Sequence, residues 1–317
     1  MLSNDQLALV PRIPEGGPAL ELDFPGLEIG VAEYDEGPTG CTVFHFPGGP
    51  RPCAVDVRGG SPAWVGDYGR CDAVCLAGGS AYGLEAAAGV AAELLARRGY
   101  STEWGQIALV SGAIVFDYRV RDNAVYPDKA LGRAALRAAR PGRFPLGPRG
   151  GGRAATVGKL FRDALRGEPA GQGGAVGAIG ATRVAVFTVV NAVGAVVDRQ
   201  GRVVRGYVDP ATGQRVQLAD ALARLGATTP EPPPGNTTIS LVVTNLRLGT
   251  WELRQLGRQV HASMARALQP FHALTDGDVM FAVSTEEVED PDLPVSVLGA
   301  VAGEVAWDAV LSCWAEG

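Results

Sequence analysis

The chain has 317 residues, 46% hydrophobic and 20% charged, which is enough apolar material for a large buried core. Lys and Arg number 28 against 34 Asp and Glu, a net charge of −6, and no basic block or basic–aromatic interleaving occurs, so nucleic acid is not an expected partner. The five cysteines (Cys41, Cys53, Cys71, Cys75, Cys313) are odd in number and form no CxxC pair, so neither a disulfide framework nor a metal site is signalled, and no cofactor motif is expected.

Residues 1–17 carry Asp5, Glu15 and prolines without an apolar core, so no signal peptide is expected. With the acidic balance, this points to a cytoplasmic protein. Short β-branched runs predict strands at 28–34, 41–46, 53–57, 73–76, 107–110, 175–179, 183–190, 192–197, 203–208, 239–244 and 279–283. Helical periodicity covers 84–98, 129–139, 251–268 and 295–314; Leu253, Leu256, Val260, Met264 and Leu268 make one apolar stripe of the third. The apolar run 184–197 is interrupted by Asn191 and is too short to span a bilayer, so no membrane association is expected. Hairpin-like pairs outnumber regular βαβ alternation, which predicts one α/β (α+β) domain of mixed or antiparallel sheets covered by helices. Residues 141–152 and 228–235, rich in Pro and Gly, read as surface loops.

Two familiar motifs fail on inspection. Gly78-Gly79-Ser80-Ala81-Tyr82-Gly83 has Tyr where a nucleophile elbow needs Gly, and reads as a tight strand-to-helix turn. Gly158-Lys159 lacks the first Gly and the Ser or Thr of a P-loop. No motif sets a nucleophile beside any of the histidines (His45, His261, His272), which are assigned to packing or surface contacts.

Asn236-Thr237 is different. Cleavage of that bond frees an α-amine on the residue that already holds a hydroxyl. With an ordinary pKa of about 7.7–8.0, such an amine can accept the hydroxyl proton near neutral pH. The Pro-rich loop presents the bond and the following strand anchors the new terminus; an ordinary loop-to-strand junction is the plain alternative. Asp276 and Asp278, at i and i+2 before a strand, project to one side and can hold the ammonium and hydroxyl of Thr237; an Asx turn is the alternative. Asn191 breaks an apolar run and needs a partner if buried, either as an oxyanion donor or as a turn residue, and Lys159 follows a Gly-rich loop.

In order along the chain, Phe24-Pro25-Gly26, Glu36-Gly37-Pro38-Thr39-Gly40, Val57-Arg58-Gly59-Gly60, Cys75-Leu76-Ala77-Gly78-Gly79, the stretch Ala124 to Arg133, Gly235-Asn236-Thr237-Thr238-Ile239-Ser240, Gln269-Pro270-Phe271-His272, Asp276-Gly277-Asp278 and Trp307-Asp308-Ala309-Val310 resemble the P1 family of N-terminal-nucleophile hydrolases. That family includes β-peptidyl aminopeptidases, L-aminopeptidase/D-amidases and the nylon-oligomer (6-aminohexanoate-oligomer) hydrolases, to which the likeness is strongest. The resemblance implies an αββα sandwich, self-cleavage into residues 1–236 and 237–317 that stay together, and a homotetramer. It puts the nucleophile on Thr237, the acid pair on Asp276 and Asp278, the lysine on Lys159 and the asparagine on Asn191. A pocket tyrosine of the nylon-oligomer enzymes is replaced by Phe116, which cannot donate a hydrogen bond. Either Asn191 and backbone amides then suffice, or Tyr118 or a water substitutes. The expected activity is hydrolysis of linear amides; acyl transfer on the same fold and a non-catalytic binding protein are the alternatives.

Overall fold

Along the strand Thr237–Leu246, Ile239, Leu241 and Val243 enter one core while Val242 enters another, the two-residue alternation of a strand buried on both faces. This strand lies inside a six-stranded sheet of order Gln172–Ile179, Thr182–Asn191, Thr237–Leu246, Val279–Val288, Arg51–Val57 and Arg70–Cys71. Its pairing with Val279–Val288 is parallel, and with Thr182–Asn191 antiparallel. The computed structural model describes residues 1–161, 164–223 and 235–314. Of the expected loop 228–235, only Gly235 lies within them.

A second sheet of five strands runs Glu28–Tyr34, Thr39–His45, Ala73–Ala77, Val110–Ile114 and Trp64–Val65. The two sheets stack face to face. Ile29, Phe44, Val74 and Leu76 from one meet Phe187, Ile239, Leu241 and Phe281 from the other. Phe187 sits in the middle of this layer, its ring 4.8 Å from that of Phe44 and 4.9 Å from that of Phe144. Helices Glu85–Arg97 and Lys129–Arg137 cover the outer face of the five-stranded sheet through Val90, Leu94, Leu131 and Leu136. Helices Thr250–Ser263 and Val295–Leu311 cover the six-stranded sheet through Leu253, Leu256, Val260, Leu298 and Ala302. The result is the αββα sandwich.

Several boundaries differ from the sequence reading. The strand expected at 107–110 is Val110–Ile114, a run holding Ser111 and Gly112 whose parallel pairing to Ala73–Ala77 overrides weak local propensity. The helix expected to 268 ends at Ser263; Leu268 belongs to the short strand Leu268–Gln269, paired with Ala195–Val197. The strand expected at 203–208 stops at Arg205, because Gly206 takes φ +91° where its backbone meets Gly158. Residues 141–152 are not a surface loop throughout: Phe144 and Gly150–Gly152 are buried. Any Cβ at Gly151 would lie 2.7 Å from the Leu76 carbonyl oxygen, so the glycines let this segment enter the interior. There the Glu33 carboxylate and the Thr42 hydroxyl accept the amides of Gly150 and Gly151.

Candidate active site

Thr237 opens its strand between two neighbours that fix it. On one side its Cα pairs with Asn191, the last residue of Thr182–Asn191. On the other, Asn236 bridges in parallel to Asp276. The Asn236 N–H donates to Thr275 O (3.2 Å), and Gly277 N–H donates to Asn236 O (2.8 Å). Thr237 Oγ1 donates to the same Asn236 carbonyl oxygen at 2.5 Å. The carbonyl oxygen of the Asn236–Thr237 peptide therefore accepts both the Thr237 hydroxyl and a backbone N–H, in surroundings where Asn236 is 0% and Thr237 4% exposed. Gly235 enters the site at φ +81°, its α-carbon so close to Phe116 that a Cβ would lie 2.8 Å from the ring.

The acid pair is shaped by a strap from residues 58–61. Ser61 N–H donates to Asp276 O (2.9 Å) and Arg58 N–H to Asp278 O (2.8 Å). A Cβ at Gly277 would lie 2.3 Å from Ser61 O, so the residue between the two aspartates must be glycine for the strap to close. The Asp276 carboxylate accepts Val193 N–H (3.3 Å) and Ala273 N–H (3.0 Å). Burial, reinforced by the Asp278 charge, pushes the Asp276 carboxyl up to about 6, against the pull of those amides and of Lys159. Asp278 Oδ1 accepts Thr238 N–H (2.6 Å), and its Oδ2 accepts the backbone N–H (3.2 Å) and Nδ1 (2.8 Å) of His272. Asp278 thus holds the backbone just after Thr237, while Asn236 just before it is held by the backbone of Thr275 and Gly277.

Lys159 and Asn191 come together as one unit. Lys159 Nζ donates to Asn191 O (2.9 Å) and Asn191 Oδ1 (3.0 Å). Asn191 Oδ1 also accepts Thr156 N–H (3.1 Å), while Nδ2 donates to Phe116 O (3.0 Å) and Gly235 O (3.4 Å). Asn191 is thus a strand residue, 1% exposed, with both ends of its amide engaged. Burial, together with the Arg119 charge, brings the Lys159 amine down to about 7, Asp276 opposing.

Phe116 and Tyr118 wall an open cleft of about 400 Å³ that Tyr82, Arg121, Asn123 and Tyr126 also line. The Tyr118 hydroxyl donates to Gly79 O (3.2 Å). Asp117 accepts Thr39 Oγ1 (2.6 Å), Gly79 N–H (2.9 Å) and Arg121 (2.8 Å), tying the cleft wall to the 78–83 turn, which is the strand-to-helix turn expected. Sequence reasoning missed His272 and the Gly277 amide. The one available signal was that both lie in stretches carrying the family resemblance.

The profile of peptidase family S58 matches residues 22–316. The chain belongs to peptidase family S58. Among its S58 relatives is the 6-aminohexanoate-oligomer endohydrolase of Agromyces sp. (strain KY5R), 48% identical over 97% of this chain and 89% of that protein. The enzyme of the same name from Paenarthrobacter ureafaciens is equally similar, with the same coverage. Of solved structures, a Burkholderia sp. beta-aminopeptidase superposes with a TM-score of 0.63 at 17% identity, covering 95% of this chain and 88% of that one. The L-aminopeptidase D-Ala-esterase/amidase of Ochrobactrum anthropi, described as a variant of the Ntn-hydrolase fold, gives 0.64 at 16%, with the same coverage. At such identities these two speak for the fold, and the S58 membership with the near-half-identical relatives makes this protein an amide hydrolase.

Proposed function

We propose that this S58 enzyme cleaves its own chain at Asn236–Thr237 and then hydrolyses linear amides with Thr237 as an N-terminal nucleophile. The observation that carries the reading is the contact of Thr237 Oγ1 with the carbonyl of its own upstream peptide, backed by the Gly277 amide. In the first stage Oγ attacks the Asn236 carbonyl carbon, and Gly277 N–H holds the oxyanion. The C–N bond breaks and the hydroxyl proton ends on the departing Thr237 nitrogen, leaving an ester that water hydrolyses to an Asn236 carboxylate and a free Thr237. In the second stage the freed amine accepts the Oγ proton while Oγ attacks the substrate amide. The acyl-enzyme forms as the substrate's amine leaves with that proton, and water releases the acid.

Asp276 and Asp278 orient the new terminus, and Lys159 sets the local charge. Asn191 Nδ2 now donates to Gly235 O, and loses that acceptor once the upstream segment moves away; it is then available to a substrate oxyanion. Residues 1–236 and 237–317 remain together in this reading, since Thr237–Leu246 is hydrogen-bonded to a strand on each side. The family likeness further suggests a homotetramer, and the acidic charge balance suggests that it acts in the cytoplasm. Among the described residues no helix is long and apolar enough to cross a membrane.

The substrates of this reading are 6-aminohexanoate oligomers or related linear peptides, because near-half-identical relatives carry that activity in their names. Parallel assays on 6-aminohexanoate oligomers, β-peptides and amino-acid amides, each with a Thr237→Ala control, test it. Turnover of none of the three by the wild type, or equal turnover by the variant, overturns it.

A further inference from the structure

The acid pair does not end at Asp278. His272 Nδ1 lies 2.8 Å from Asp278 Oδ2, and its backbone N–H reaches the same oxygen at 3.2 Å. This double grip holds His272 at φ +58°, a conformation that costs a non-glycine residue about 1 kcal/mol or more. The ring is packed on two sides. Phe271 stacks on it at 3.8 Å, and His261 meets it edge-on at 4.5 Å and 86°. His261, 0% exposed on the helix Thr250–Ser263, is itself fixed by Asp56, whose Oδ2 lies 2.9 Å from its Nδ1. Arg58 Nε then holds that carboxylate at 2.7 Å. A line of contacts runs from the Thr238 amide through Asp278 and His272 by hydrogen bonds, across the ring edge between His272 and His261, and on through Asp56 to the half-buried Arg58, the residue that opens the strap over Asp276 and Asp278.

A carboxylate with one oxygen on a backbone amide still rotates about its Cβ–Cγ bond unless the second oxygen is held. His272 supplies that second contact, and a donor at Nδ1 fixes the imidazole tautomer. We propose that His272 is a positioning residue for the nucleophile: its Nδ1–H locks Asp278, Asp278 locks the Thr238 amide next to Thr237, and His261 and Asp56 lock the His272 ring from behind. This rests on the reading of Thr237 as the nucleophile. Misplacing a reacting group by about 1 Å is worth about 100-fold in rate, so partial loosening should cost about tenfold or more.

The test is the rate of chain cleavage in freshly synthesised full-length protein, for wild type, His272→Phe, His272→Asn and Thr237→Ala. Phe keeps the ring packing and removes the side-chain donor, leaving only the backbone N–H on Asp278 Oδ2, while the Asn amide restores a side-chain donor near Nδ1. The expected result is cleavage slowed about tenfold or more in His272→Phe and recovered to within about threefold of wild type in His272→Asn. His272→Phe cleaving at the wild-type rate, or His272→Asn being as slow as His272→Phe, overturns the proposal while an uncut Thr237→Ala leaves the nucleophile reading standing. Cleavage of Thr237→Ala at the wild-type rate overturns both. Should His272→Phe fail to fold, ¹⁵N-imidazole NMR of the wild type decides: a His272 protonated on Nδ1 supports the proposal, and one protonated on Nε2 alone overturns it.

Discussion

Asn191 and Thr237 stand directly opposite each other on neighbouring antiparallel strands, at the last residue of one and the first of the other. That register brings a buried amide, itself held by Lys159, to the residue proposed as the nucleophile. Replacing Asn191 by Leu keeps the volume and removes the amide. Loss of an oxyanion donor is worth about 100-fold or more in kcat. The freed Phe116 carbonyl and Thr156 amide should cost about 1–3 kcal/mol of stability. Steady-state kinetics and denaturant titration check the two effects separately.

Gly277 joins the two aspartates and donates to the Asn236 carbonyl. A methyl group there would lie 2.3 Å from Ser61 O, so Gly277→Ala must displace either the strap or the amide. The expected outcome is slower chain cleavage and a stability loss of about 1–3 kcal/mol, typical of overpacking. Cleavage followed over time gives the first, and urea unfolding of the uncleavable Thr237→Ala background gives the second.

The pH dependence follows from opposite shifts. Asp276 is raised from 3.8 to about 6, so the folded chain holds a proton that the unfolded chain releases, and stability falls as pH rises through that window. Lys159 is lowered from 10.5 to about 7, so the unfolded chain holds the extra proton and stability rises with pH across that higher window. Together the two groups place a stability minimum between about 6 and about 7, with Asp276 contributing on the order of 3 kcal/mol and Lys159 on the order of 5 kcal/mol. Thermal unfolding of Thr237→Ala across pH should show this trough, and adding Asp276→Asn and Lys159→Met should flatten it.

How much of this was legible in the sequence depended on the range of the contacts. The strand pattern around Thr237 and the i, i+2 spacing of Asp276 and Asp278 are local, and each found its element. Asn191 announced itself as a polar residue in an apolar run. His272 did not, because the six-residue loop that turns it back onto Asp278 has no periodicity to read. The His261–Asp56 contact joins residues 205 positions apart and is invisible to any local pattern. Residues 150–152 looked like loop because glycine marks both turns and close backbone approach, and only the neighbouring Leu76 carbonyl and Thr42 hydroxyl distinguish the two.

The nucleophile claim is tested most directly by the intact mass of purified wild-type protein, measured alongside its amide-hydrolysing activity and alongside Thr237→Ala. The account expects two wild-type species with the masses of residues 1–236 and 237–317, and a single uncut, inactive Thr237→Ala chain. A wild-type chain that stays whole at 317 residues and is fully active would contradict it.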